Sequence, residues 1–126
     1  MTNQDFFDLR MRADVLEMCD DLPGANRLRA ISLEIAREID LICYGYQLLW
    51  RNRPLDAIEI LERNAASNPE SWNAWDTLGE AYAQYGDVRR AAECYMHASR
   101  LVAGEQDRLR IERHLRDLTA LGALAS

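Results

Sequence analysis

The sequence predicts an all-α chain built from helix hairpins, and three observations carry that prediction. Only three prolines and six glycines interrupt 126 residues, and the dominant residues (Ala, Leu, Glu and Arg) are good helix formers. Apolar residues recur at helical spacing along nearly the whole chain. Finally, residues 72–103 align with residues 38–69 at an offset of 34, the length of a repeated helix pair.

The chain is long enough for one domain with a real core, and 1–126 is read as a single domain. With 48% hydrophobic and 29% charged residues, it has the profile of a folded, soluble protein. A first helix is expected over residues 4–21, bearing Phe6, Phe7, Leu9, Val15 and Leu16 and ended by Pro23-Gly24. A second pattern over 25–36 (Leu28, Ile31, Ile35) resumes the helix and leads toward the repeat.

Within the repeat, Gly79 falls on Gly45, Ala91 on Ala57 and Glu93 on Glu59; Leu41 pairs with Trp75, Tyr44 with Leu78, Leu48 with Tyr82 and Leu61 with Tyr95. Helices are expected at about 38–51, 54–67, 72–85 and 88–102. Pro54 suits the first turn of a helix, where its missing N–H costs nothing. Ser71 and Asp87 are N-cap residues. Asn52 and Gly86 occupy equivalent turns and tolerate left-handed backbone, and Gly104 is expected to end the following helix. Residues 105–121 form a last helix with one apolar stripe, Ile111, Leu115, Leu118 and Leu121. This helix is read as a solvating cap.

Charge and chemistry exclude several function classes. The net charge of −6 argues against nucleic-acid binding, which calls for a basic stripe. All fifteen basic residues are arginine, so no Schiff base or phosphate-loop lysine can form. Residues 1–21 are acidic, whereas the four arginines of 105–117 meet four acids and read as a solvated face. Cys19, Cys43 and Cys94 have no metal or redox spacing and read as reduced thiols. No signal-peptide core or membrane-length apolar run is present, which implies a cytoplasmic protein without a membrane partner. His97 and His114 lack partners at ligand spacing, and no nucleophile motif occurs. The expectation is a non-enzyme with no catalytic residue, no metal and no cofactor.

The run Trp75-x-x-Leu78-Gly79-x-x-Tyr82, followed by Ala91, Tyr95 and Ala98, resembles the tetratricopeptide repeat (TPR). The likeness covers about residues 38–103, with a degenerate first repeat (38–69) and a stronger second (72–103). It implies a short α–α superhelix with non-repeat helices at both ends, 1–35 and 105–121. In that pattern Gly45 and Gly79 allow close helix approach, and Ala57 and Ala91 are small residues on the facing helices. Trp75, Leu78, Tyr82 and Tyr95 fill the layer between. Asn64 and Ala98 occupy equivalent positions where a small residue is usual.

The resemblance also implies a protein-interaction module, an adaptor binding a peptide or helix through a concave groove. Carried over by position, the groove is lined by Ile39, Ile42, Tyr46, Leu49 and Trp50 from the first repeat. Asn73, Asp76, Glu80, Ala83 and Gln84 line it from the second. No basic residue falls there, unlike the clamp that some relatives use for a peptide carboxylate. The groove therefore suits an apolar segment flanked by positive charge. Its apolar wall fits three occupants: the chain's own N-terminal helix as a lid, a second copy in a homo-dimer, or a partner's peptide. A narrower likeness of residues 68–87 to repeats appended to serine hydrolases implies an accessory subunit instead, since hydrolase catalytic residues are absent.

Overall fold

A computed structural model describes the backbone of residues 4–125 and the side chains of 4–122. Its elements are all helices: α1 (Gln4–Met18), α2 (Leu22–Ile35), α3 (Glu38–Trp50), α4 (Pro54–Ser67), α5 (Trp72–Tyr85), α6 (Val88–Leu101) and α7 (Glu105–Ala125). The chain divides into two compact units, residues 1–41 and 42–126.

In the first unit α1 and α2 form a helix hairpin. The break comes earlier than the sequence suggests. Helix α1 stops at Met18 in a turn where Asp20 takes φ 64°. Pro23 and Gly24 then lie inside the first turn of α2 rather than ending α1. The reason is local: Asp21 caps α2 by accepting from the Gly24 N–H at 2.9 Å, and proline lacks the donor a first turn cannot use. The buried face differs too. Phe6, Ala13, Gly24, Ala25 and Ser32 are buried, while Val15 and Ile31 point outward. Small residues let the two helices approach closely, which turns the bulkier aliphatic residues to the flanks. Arg29 pins the hairpin by pairing with Asp14 at 3.0 Å and Glu17 at 2.5 Å.

In the second unit the hairpins follow the repeat. Ser71 Oγ accepts from Ala74 N and Asp87 Oδ1 from Arg90 N, as their N-cap positions require. Asn52 (φ 59°) and Gly86 (φ 103°) are left-handed, closing α3 and α5. Gly104 does not end α6, which stops in extended backbone at Val102. Its carbonyl instead accepts the first backbone bond of α7, from Arg108 N.

Close packing runs through the glycines. A Cβ on Gly45 would lie 2.6 Å from Leu61, and one on Gly79 would lie 2.6 Å from the Tyr95 ring. Large side chains of α4 and α6 therefore seat on bare backbone of α3 and α5, while Ala57, Ala91 and Ala98 are fully buried beside them. Leu78, Tyr82 and Tyr95 fill the layer. Trp75 is half-buried, stacks on His97 with centroids 4.1 Å apart, and donates its indole N–H to the Pro69 carbonyl. Asn64 is fully buried, with its Oδ1 accepting from Asn68 Nδ2 at 2.9 Å.

Candidate binding groove

Helices α3 and α5 lie with their C-terminal ends together, tied where Gln84 Nε2 donates to the Leu49 carbonyl at 2.9 Å. Their facing turns, with Tyr95 of α6, enclose a depression of about 390 Å³ lined by Tyr46, Leu49, Trp50, Glu80, Ala83, Gln84 and Tyr95. Trp50 is 92% exposed at its rim. Aromatic and aliphatic surface thus dominates the wall contributed by α3.

Not every position assigned to the groove meets there. Tyr46, Leu49, Trp50, Glu80 and Gln84 do. Ile42 is 5% exposed and Asp76 fully buried, so neither offers a surface to a partner. Asn73 lies one turn before Thr77, whose hydroxyl donates to its carbonyl at 2.7 Å, and lines no part of the depression. Ile39 is partly exposed but belongs to the other compact unit.

Beside the depression lies a polar network that the sequence reading missed. Arg110 Nε donates to Asp76 Oδ2 at 3.2 Å, and its Nη2 reaches the Tyr46 hydroxyl at 3.0 Å and Glu80 Oε1 at 3.5 Å. His114 places Nδ1 2.8 Å from Asp76 Oδ1 and Nε2 3.2 Å from Glu80 Oε1. The arginines of α7 are therefore not all a solvated face, and a basic residue does stand at the groove. The signal was the repeat itself. Arg110 and His114 follow Asp76 and Glu80 by the same offset of 34 that relates the two repeats. Helix α7 packs chiefly on α6, as the first helix of a further repeat would. The register survives although the core signature does not.

The electrostatics follow from this geometry. Hydrogen bonds to Asp76 and then Glu80 outweigh burial and raise His114 to about 9, so it is a cation at neutral pH. Burial alone would push Glu80 up, but His114, Tyr46 and Arg110 hold it below the usual carboxylate range. Burial, and then the Glu80 charge, push the Tyr46 hydroxyl well above its ordinary value. Two carboxylates and two cations thus cancel locally.

Asp76, Glu80 and His114 could by composition hold a metal ion, since one ligand atom from each lies within 4.8 Å of the others. Both ring nitrogens of His114 already face a carboxylate, and Arg110 supplies further positive charge. A divalent ion would have to displace a proton and compete with a guanidinium. A second hollow of about 730 Å³ lies over Trp75, Leu78 and Tyr82 between α4 and α6, lined also by Glu62, Cys94 and His97. Burial raises the Cys94 thiol there to about 12, so it is not a nucleophile.

Comparison with known proteins bears on the fold. No family model matches the sequence, and no curated protein matches it. Solved structures do. The TPR domain of Sgt2 from Aspergillus fumigatus superimposes with a TM-score of 0.65 at 19% identity, over 98% of this chain and 83% of that one. The first TPR of Spaghetti (RPAP3), bound to the HSP90 peptide SRMEEVD, gives 0.65 at 15% identity, over 98% and 95%. The chain has the TPR fold. Within that fold Tyr46, Glu80 and His114 form one ladder along the first helices of successive hairpins, at an offset of 34 each time. Asp76 and Arg110 form part of the next ladder.

Proposed function

We propose that this protein is an interaction module whose TPR groove receives a bulky apolar or aromatic anchor from a partner protein. The observation that carries this reading is the exposed Trp50 at the rim of a depression walled by Tyr46, Leu49 and Tyr95. Tryptophan and tyrosine bury large areas at low entropic cost, and they dominate the energetics of protein interfaces. A neighbour of the same fold holds an acidic HSP90 peptide, which supports a peptide as the kind of occupant. The charge here points to a different ligand. Asp76 and Glu80 are neutralised from within by Arg110 and His114, and the Arg110 guanidinium is already engaged. Recognition then rests on the apolar wall.

The test is affinity capture with wild-type protein and with Tyr46→Ala/Trp50→Ala, both checked for helicity. Partners held through the groove are lost from the double variant. A folded double variant that retains the same partners moves the binding surface elsewhere.

A further inference from the structure

Two exposed apolar faces, one on each compact unit, carry opposite charge. On α1, Met11 (65% exposed), Val15 (54%) and Met18 (85%) follow one another at helical spacing, and Leu22 (49%) lies just past the turn. Along residues 11–22, Arg12 stands against Asp14, Glu17, Asp20 and Asp21, a local charge of −3. Arg29, paired to Asp14 and Glu17, reduces it to −2.

The second face is the edge of the repeat unit where α3 turns into α4 and α5 into α6. The Gln84–Leu49 bond brings these two turns side by side. Trp50, Leu55 (60% exposed) and Tyr85 (52%) protrude there. Across residues 50–56 and 85–90, four arginines stand against two aspartates, a local charge of +2; Glu93, paired to Arg89 at 3.5 Å, reduces it to +1, on a chain whose total is −6. A basic apolar edge and an acidic apolar helix face are complementary in both respects that decide association: apolar area to bury and potentials of opposite sign.

We infer that the α1 face of one molecule docks on the turn edge of a second copy. The two surfaces are different, so the contact is heterologous, and each docked pair keeps one unused face of each kind, one on either molecule. Assembly is then open-ended, with a rim of opposite charges that makes it salt-sensitive. The docking edge shares Trp50 with the groove, but the two positions used to test it, Leu55 and Met18, do not line the groove.

The experiment measures the solution mass of the full chain by sedimentation equilibrium over a range of concentrations and salt. The expected result is a weight-average mass that climbs past twice the 14.5 kDa protomer as concentration rises and falls back as salt is added. Leu55→Glu sets an acid against the acidic face; Met18→Arg sets a base against the basic edge. Each variant alone is expected to stay monomeric. Mixed in equal amounts they form a one-to-one pair and stop there, because each retains the face the other lacks. Circular dichroism confirms that both fold. A mass that remains monomeric at every concentration overturns the inference. So does a plateau at a closed dimer, and so does a mixture that fails to pair.

Discussion

Arg110 and Asp76 are 34 residues apart, one repeat length, and their side chains meet at 3.2 Å. Asp76 is fully buried, whereas Arg110 is 48% exposed. The pair joins α7 to α5, and with His114 it welds the terminal helix onto the repeat. The two partners therefore respond differently to removal.

Asp76→Ala removes the fully buried carboxylate that Arg110 and His114 share, leaves both with Glu80 alone, and is expected to destabilise the fold by about 3 kcal/mol. Arg110→Ala removes a half-exposed partner and leaves Asp76 bonded to His114, for an expected loss of about 1 kcal/mol. Urea unfolding of the full chain measures both. Equal losses would mean that burial of Asp76 does not set the energetics.

Stability should fall toward alkaline pH. His114 titrates near 6.5 when unfolded and near 9 when folded, chiefly because of its hydrogen bond to Asp76. A raised folded value means the folded state binds the proton more tightly. The stabilisation is therefore complete below about pH 6.5 and lost as pH rises through about 9. That difference corresponds to about 3.4 kcal/mol, which solvent screening of the partly exposed ring reduces to an expected decline on the order of 2 kcal/mol across that window. His114→Gln should show a flatter profile between the same limits, and an unchanged slope would locate the effect in other groups.

Gly79→Ala should destabilise even though alanine is the better helix former. The added methyl would lie 2.6 Å from the Tyr95 ring, so either the ring or α6 must move. Overpacking of this kind costs about 1–3 kcal/mol, more than the ~1 kcal/mol gained in helix propensity. The loss should be smaller in a Tyr95→Ala background, where the ring that the added methyl would meet is gone. Equilibrium unfolding of the single and double variants decides it.

The helices, their caps and their turns were legible in the sequence because they rest on short-range chemistry. Ser71 and Asp87 cap, and Asn52 and Gly86 turn left-handed, for reasons confined to a few neighbouring residues. The resemblance to the repeat pattern named Tyr46, Leu49, Trp50, Glu80 and Gln84 as groove positions, and these five line one depression. Pro23 misled because the same residue can follow one helix or begin the next, and the Asp21 cap settled which. The tertiary structure alone decided the fate of Asp76. Its position marked it as a groove residue, yet its carboxylate is sealed beneath Arg110 and His114 of a helix whose core signature had decayed. Apolar signatures report how a helix packs on its neighbours; a polar pair is visible only when both partners are placed. By itself the sequence determined the hairpins and the apolar wall, and the packing of α7 on α6 determined that the acidic wall is neutralised from within.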